Sequence, residues 1–276
     1  MGHEFKVDSP IVIDRILSRN LGKCSEQLRN EIIPDTTPLP FFGDFENATI
    51  ISIGINPSSR EFRNSKRRLC HLSDLGLPAD FYRSAQISMK ESQALVIGKS
   101  LLNYFENKVD NKLTYLEDWF HPAETAINGC GATYFQGKLE SNNYKIACHV
   151  DLFPWATKAF SGLEPNLQNE FKYENFEFFK KYVEREKIEK IIVFGEEVLQ
   201  GFKDAFENAG LQCQYKNVKS EPGPFGVTFE AGEIWFKSHK KEFFYTTSGP
   251  SRPYMLKLDK LKLHSAFAKF IVKSAN

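Results

Sequence analysis

The sequence is poor in the residues that build metal or disulfide frameworks. Its 276 residues include only five cysteines, and no two of them form a Cys-x-x-Cys pair. They are scattered and odd in number, which argues for reduced thiols and against a zinc site or a disulfide framework. The six histidines do not pair at metal-ligand spacing either, so we expect no metal and no cofactor. The cysteines are Cys24, Cys70, Cys130, Cys148 and Cys213.

Long apolar runs are also missing from the sequence. No run approaches the roughly 20 residues that a helix needs to span a bilayer, which argues against a membrane protein. The chain begins Met-Gly-His-Glu-Phe-Lys and lacks the apolar core of a signal peptide, so we expect a cytoplasmic protein. Its net charge is only +1, which by itself is no signature of a nucleic-acid-binding protein.

Three common motifs of hydrolases and nucleotide-binding proteins are absent. The chain contains no Gly-x-Ser-x-Gly elbow, no P-loop and no Gly-x-Gly-x-x-Gly segment. An unrelated hydrolase or a nucleotide-binding α/β protein is therefore an alternative with little motif support.

What the sequence does contain is an alternation of strand-like apolar runs with helical periodicity, which is typical of the α/β class. Strands are predicted near residues 48, 144, 190 and 243, and helices over 88–107, 171–187 and 195–210. We expect a single three-layer α/β/α domain over residues 1–276, with a short parallel central sheet.

The two ends of the chain and one late segment complete this prediction. An N-terminal helix follows Ser9-Pro10 and ends near Gly22. Residues 227–236, broken at Gly232, are predicted to form a hairpin beside the sheet. A basic amphipathic helix ends the chain, and its predicted apolar face consists of Leu256, Leu263, Phe267 and Ile271.

The most informative segment runs from Pro40 to Phe62. Within it, residues 48–55 form a continuous apolar, β-branched run that suits a strand buried on both faces of a parallel sheet. Gly54 and Pro57 then stop the strand and turn the chain. The turn presents Asn56 at the carboxyl end of the strand, where open α/β sheets keep their sites. The alternative is that Asn56 only shapes the loop.

Two later strands also lead into polar side chains. Residues 144–150 form a strand that delivers Asp151, and His149 should share its face because strand side chains alternate. Residues 243–247 form a strand that leads into Ser248-Gly249-Pro250-Ser251-Arg252-Pro253. The alternatives are that Asp151 caps a turn, that His149 is a buried structural residue, and that the last segment is simply a turn.

Positive charge is concentrated in two segments near these strand ends. Residues 60–68 carry five cations against one anion, Glu61, and cations again exceed anions from Lys237 onward. Basic surface beside a candidate site is what contacts with phosphates require. The alternative is a solvated loop and an amphipathic tail. The five cations are Arg60, Arg63, Lys66, Arg67 and Arg68.

Together, the three strand-end segments resemble the uracil-DNA glycosylase superfamily over roughly residues 38–255. That superfamily has an early Gly-x-(Asn/Asp)-Pro motif, a mid-chain strand with a base-reading Asn, and a late His-Pro-Ser loop. The first motif is matched by Gly54, Asn56 and Pro57, and the late loop is matched by Pro250 and Ser251. Some branches carry a four-Cys iron–sulfur cluster, which the cysteine spacing here does not support.

The resemblance implies that the chain hydrolyses the N-glycosidic bond of a nucleotide flipped out of the DNA stack. Asn56 would then hold the attacking water, because a dissociative transition state needs orientation more than deprotonation. Phe62 would stack on the flipped base, a contact worth about 1–3 kcal/mol in comparable systems. The alternative is that Phe62 is one of many core phenylalanines.

The chain departs from the family pattern at two positions that bear on the substrate. Asp151 replaces the usual Asn, and an ionised Asp only accepts hydrogen bonds, which suits the exocyclic amine of cytosine. Gly249 replaces the usual His, which removes a donor to the leaving base and leaves space beside the pocket. His149 is a candidate replacement donor. We therefore expect a bulky modified cytosine, such as the decorated bases of phage DNA, and a role in antiviral defence.

The predicted enzyme is a monofunctional hydrolase, because none of the motifs supplies a Schiff-base lysine. Its expected partner is DNA, and it is expected to act as a monomer without a membrane or a metal cluster. The alternatives are uracil excision in DNA repair, or a catalytically weak DNA-binding protein on the same fold. The residues predicted to contact DNA are Arg60, Arg63, Arg67, Arg68, Ser248, Gly249, Pro250, Ser251 and Arg252.

Overall fold

A seven-stranded mixed sheet is the framework of the protein in its computed structural model. The strands are β1 (Ile50–Gly54), β2 (Ala132–Thr133), β3 (Lys145–Asp151), β4 (Lys190–Phe194), β5 (Cys213–Pro222), β6 (Thr228–Phe236) and β7 (His239–Thr246). The structure describes residues 16, 25–57, 60–63, 69–81, 89–106, 119–135, 143–157, 163–173, 180, 182–208, 213–236, 239–250 and 255–275.

The sheet order is β2-β3-β1-β4-β7-β6-β5. The first five strands in that order run parallel, and β6 and β5 continue the sheet in antiparallel pairing. All five residues of β1 are buried, as expected for a continuous apolar run at the centre of a parallel sheet. β1 pairs with β3 and β4 on its two sides, in a register that places Gly54 beside Asp151 and Ile53 beside Val193.

Helices cover both faces of the sheet, so the protein has three layers. Phe194 and Phe229 on one face contact Phe267 of the C-terminal helix. Phe243 on the other face contacts Phe202 of the helix that follows β4. The helices are α1 (Glu26–Glu31), α2 (Arg60–Arg63), α3 (Glu91–Leu102), α4 (His121–Gly129), α5 (Pro165–Tyr173), α6 (Glu196–Asn208) and α7 (Lys257–Ala275).

The predicted α/β class is confirmed, whereas several details differ from the prediction. The central sheet is longer than the short parallel sheet expected, because β5 and β6 extend it. Residues 228–236 form one continuous strand, so the hairpin predicted within 227–236 is wrong; β6 pairs with β5 and with β7 instead. Leu256, predicted to lie on the apolar face of the last helix, is 74% exposed, whereas Leu263, Phe267 and Ile271 are buried as predicted.

Other predicted elements are only partly covered. All but Ile16 of the predicted N-terminal helix lies outside the described residues. Of the helix predicted over 171–187, residues 171–173 are the end of α5 (Pro165–Tyr173), residues 180, 182 and 183 are also helical, and residues 174–179 and 181 lie outside the described residues. Within the described part of the chain, no helix is long and apolar enough to cross a membrane.

His264 is a buried polar residue in the second turn of α7. It is 1% exposed, and its ring centroid lies 5.9 Å from that of Phe194. Neither ring nitrogen has a hydrogen-bond partner among the described residues. Burial, and to a smaller degree the charge of Lys260, lowers the pKa of His264 from its ordinary value of 6.5 to about 4. The folded protein therefore holds this imidazole in its neutral form.

We predict that His264→Phe removes part of the acid sensitivity of folding. The unfolded chain takes up a proton at His264 as the pH falls below 6.5, whereas the folded chain does so only near pH 4. The wild type therefore loses stability in that window, by about 2 kcal/mol at pH 5 relative to pH 7.5. Urea unfolding at both pH values should show that the variant lacks this loss.

His239→Phe is the matched control, because the side chain of His239 is 44% exposed. It should keep the wild-type difference between the two pH values. An equal pH dependence in wild type and His264→Phe would contradict the assignment of the buried neutral imidazole.

Candidate functional site

The carboxyl ends of the four central parallel strands meet at one edge of the sheet. β1, β3, β4 and β7 end there with Gly54, Asp151, Phe194 and Thr246. Backbone hydrogen bonds continue past the strand ends, from Leu152 N to Gly54 O at 3.1 Å and from Phe153 N to Ile55 O at 2.9 Å. The three predicted motifs are thereby brought to the same edge.

Asn56 is half-buried in the turn after β1 and its amide orientation is fixed by its neighbours. Nδ2 lies 3.1 Å from Pro57 O, 3.5 Å from Trp155 O and 3.1 Å from Thr157 Oγ1. Two of these partners are carbonyl oxygens, which only accept, so the amino group must point toward them. Among the described residues, Oδ1 has no hydrogen-bond donor.

His149 and Asp151 form a buried pair on the same face of β3, as strand alternation predicted. Nε2 of His149 lies 3.1 Å from Oδ1 of Asp151, and both residues are 2% exposed. The pair lies directly over the end of β1. A Cβ built on Gly54 would come within 2.4 Å of Asp151 Oδ1 and 2.8 Å of His149 Nε2. A side chain at residue 54 would therefore overlap the His149–Asp151 pair unless the pair moved.

The pair extends into a chain of hydrogen bonds that sequence reasoning missed. Ser52 Oγ lies 2.8 Å from His149 Nδ1, and the phenol of Tyr134 donates to Ser52 Oγ. The buried chain Tyr134–Ser52–His149–Asp151 therefore links β3 and β1 to the residue that follows β2. A polar residue within the apolar run of β1 was a signal for Ser52. Tyr134 offered no comparable signal, because it reaches Ser52 only through tertiary packing.

Aromatic rings enclose the imidazole of His149. Its ring centroid lies 4.3 Å from that of Trp119, 5.3 Å from that of Phe120 and 5.7 Å from that of Phe42. Trp119 also contacts Phe194 at the end of β4, at 5.7 Å. A largely dry environment of this kind strengthens hydrogen bonds within it.

Phe62, the predicted stacking platform, lies in the hydrophobic core. It lies within α2, is 4% exposed, and its ring centroid lies 5.6 Å from that of His71. Its neighbour Glu61 accepts a 2.6 Å hydrogen bond from the hydroxyl of Tyr104. In this arrangement the face of the Phe62 ring is covered by protein, and the stacking role stays a prediction.

Only some of the residues predicted to contact DNA lie in the described part of the chain. The backbones of Arg60 and Arg63 form the ends of α2, whereas Arg67, Arg68, Ser251 and Arg252 lie outside the described residues. In the late loop, Ser248 is 3% exposed and its amide donates to Thr246 Oγ1 at 3.3 Å. Pro250 is buried and Gly249 is half-buried.

Two glycines, Gly195 and Gly249, follow the neighbouring strands β4 and β7 at the same edge of the sheet. Gly195 follows β4 with φ at +106°, a conformation that other residues rarely adopt, and its amide donates to Thr246 O at 2.8 Å. A Cβ built on Gly195 would lie 4.0 Å from Gly249 N, so the two glycines are neighbours. No atom of the described residues lies within 4 Å of a Cβ built on Gly249.

Two further features bear on the chemistry of the site. Lys241 is 2% exposed, and burial lowers its pKa to about 8. Its Nζ donates to Arg185 O and Ile188 O at the opposite, amino edge of the sheet. Among the described residues, no group of three or more His, Cys, Asp or Glu side chains is placed to hold a metal ion.

We predict that Gly54→Ala disrupts the His149–Asp151 pair and destabilises the fold. The added methyl group overlaps two buried, hydrogen-bonded side chains, and overpacking of this kind typically costs about 1–3 kcal/mol. Urea unfolding measures the loss. Gly249→Ala, after β7 at the same edge of the sheet, is the matched control and should change the unfolding free energy by less than about 0.5 kcal/mol. Equal effects of the two substitutions would show that space above Gly54 is not limiting.

Comparison with known proteins does not extend this picture. No protein-family model and no curated protein matches the chain. The relation to the uracil-DNA glycosylase superfamily therefore stays a prediction from three short motifs.

Proposed function

We propose that the protein is a monofunctional DNA glycosylase that hydrolyses the N-glycosidic bond of a flipped-out pyrimidine, with preference for a modified cytosine. The observation that carries the proposal is the juxtaposition of Asn56 and Asp151 at adjacent strand ends. One residue offers an amide oxygen, and the other offers a buried carboxyl group beside the imidazole of His149. These are the two groups that the proposed reaction requires, for the water and for the base.

Asn56 supports the water-positioning half of the proposal. Its amino group is occupied by Pro57, Trp155 and Thr157, so the carbonyl oxygen Oδ1 is held in one orientation. A water that donates to Oδ1 would be aimed at the sugar as the glycosidic bond breaks. An amide is a weak base, but the cationic sugar of such a transition state reacts readily with an oriented water.

Asp151 supports the base-reading half. Its Oδ1 accepts from His149, and a carboxylate suits the exocyclic amine of cytosine because it only accepts hydrogen bonds. Asp151 is 2% exposed, so the loops over the strand ends must open before a base can reach it. Opening of this kind accompanies base flipping, in which the protein encloses the extruded nucleotide.

The proposed preference for a bulky base rests on the two glycines that follow β4 and β7. Gly195 and Gly249 are neighbours there, and a Cβ on Gly249 would meet no described atom within 4 Å. Space beside the pocket accommodates a substituent on the base, such as the groups that decorate phage cytosines. On this basis we propose a role in defence against phages rather than in general repair.

The proposed mechanism proceeds without a covalent intermediate. A lyase needs a lysine with a lowered pKa at the site, to attack the sugar as a free amine. Lys241 has such a pKa, but its amine is engaged by two backbone carbonyls at the opposite edge of the sheet. The amine of Lys241 therefore cannot reach a sugar held near Asn56.

A DNA-binding protein with weak catalysis is the second candidate, and Gly249 favours it. The resemblance places a leaving-group donor at that residue, and glycine has no side chain to donate. Formation of abasic sites separates the two candidates, because a binding protein retains DNA affinity without releasing a base.

We predict that Asn56→Ala lowers glycosylase turnover by about a hundredfold or more, because the water loses its fixed acceptor. The measurement is alkali-cleaved abasic product under single-turnover conditions, with folding checked by circular dichroism. Asn47→Ala is the control: this exposed asparagine precedes β1 and binds Asp44 at the amino edge. Near wild-type turnover in folded Asn56→Ala would remove Asn56 from the mechanism.

We predict that Asp151→Asn shifts the base preference from cytosine-type to uracil-type. The amide oxygen can still accept from His149, while the new amino group donates to the O4 atom of uracil. One well-placed polar pair discriminates by about 1–3 kcal/mol, so the rate ratio should change at least several-fold. Competition between oligonucleotides that contain modified cytosine and uracil measures it. An unchanged ratio, or a wild type that prefers plain uracil, would contradict the base-reading role.

A further inference from the structure

Tyr134 is the donor at the far end of the buried hydrogen-bond chain that ends at Asp151. The hydroxyl of Tyr134 donates to Ser52 Oγ. Tyr134 is 2% exposed, and its burial raises the pKa of the phenol well above 10. The phenol therefore keeps its proton, and one lone pair of Ser52 Oγ is permanently occupied.

The single hydrogen of the Ser52 hydroxyl then has two acceptors within reach. His149 Nδ1 lies at 2.8 Å, and the carbonyl oxygen of Cys148 lies at 3.5 Å. A hydroxyl hydrogen bond is near its optimum at 2.8 Å and is weak at 3.5 Å, so the imidazole receives the hydrogen. Nδ1 of His149 must then carry a lone pair, and the ring proton is on Nε2, which faces Asp151.

We infer that Tyr134 and Ser52 fix the tautomer of His149 and thereby keep Oδ1 of Asp151 as a hydrogen-bond acceptor. A proton on Asp151 Oδ1 would have to be donated to Nε2, which would move the ring proton to Nδ1 against the hydrogen of Ser52. The same hydrogen opposes a doubly protonated ring. Both residues are thus positioning residues that act on Asp151 through His149.

Apolar side chains surround the imidazole of His149 apart from its two hydrogen-bond partners. Phe42, Trp119 and Phe120 pack around the ring, and Ser52 is 0% exposed. Among the described residues, Ser52 is the hydrogen-bond partner of Nδ1 and Asp151 is that of Nε2. The consequence for base choice rests on the proposed function, whereas the tautomer of His149 does not.

The first experiment measures the tautomer directly. Nitrogen NMR of protein labelled with ¹⁵N-histidine distinguishes protonated from unprotonated ring nitrogens, and the His149 signals are those lost in His149→Gln. In the wild type at pH 7.5 we expect a protonated Nε2 and an unprotonated Nδ1. A protonated Nδ1 would overturn the inference.

Variants then test which residues set the tautomer. In Ser52→Ala the Nδ1 signal should move toward that of a protonated nitrogen, because nothing opposes a proton there. Tyr134→Phe should move it less in the same direction, since Ser52 keeps its hydroxyl but loses the donor that orients it. Wild-type signals in both variants would overturn the assignment of positioning roles.

Two matched controls separate this effect from general loosening of the core. Tyr182→Phe removes another buried phenol, which contacts Cys148 Sγ and Phe45 O on the opposite face of β3. Ser100→Ala removes a hydroxyl that donates to Ile97 O within α3. Both controls should leave the His149 signals unchanged.

The last experiment tests whether the tautomer of His149 affects which base is released. Ser52→Ala should lower the preference for cytosine-type over uracil-type bases several-fold, whereas Tyr182→Phe should not. An unchanged preference in Ser52→Ala, despite a shifted tautomer, would overturn the specificity role. If the wild type releases no base from any DNA, the proposed function fails, and the NMR result still decides the tautomer.

Discussion

The bare Cα of Gly54 is the constraint on which the candidate site depends. His149 and Asp151 occupy the volume that a side chain at residue 54 would fill, with Asp151 Oδ1 only 2.4 Å from a Cβ built there. β1 cannot move away to make room, because it is paired with β3 on one side and with β4 on the other. The buried polar pair, the register of the sheet and the turn that presents Asn56 are therefore parts of one arrangement.

A polar chain in an aromatic environment is stable only when its donors and acceptors are matched. Leaving a buried polar atom unpaired costs about 1–3 kcal/mol, more than a typical buried hydrogen bond contributes. Tyr134, Ser52, His149 and Asp151 meet this requirement in sequence, each engaging the next. His264 does not, because neither of its ring nitrogens has a partner among the described residues, and burial lowers its pKa to about 4. Unlike His264, His149 is held in one ring orientation by hydrogen bonds at both of its nitrogens.

Much of this arrangement could be predicted from the sequence where it depends on local pattern. The apolar run of β1, the turn at Asn56, and the shared face of His149 and Asp151 follow from strand periodicity. β5 was missed because it is an edge strand with mostly exposed polar residues. Gly232 was interpreted as a break, but a Cβ there would lie 3.0 Å from Lys216 O, beside the bulge in β5. That close approach, like the contact of Tyr134 with Ser52, arises from tertiary packing that no local pattern encodes.

The charge of Asp151 has a consequence for how the proposed site would discriminate between bases. A departing base gains negative charge, and a carboxylate beside it raises the barrier unless a donor lies between them. Cytosine supplies that donor through its exocyclic amine, whereas uracil presents the O4 oxygen at the same position. A site with an ionised Asp151 therefore selects mainly by repelling uracil, and only secondarily by attracting cytosine. Selection of this kind depends on keeping Asp151 Oδ1 an acceptor, which is the role proposed for His149 and, behind it, for Ser52 and Tyr134.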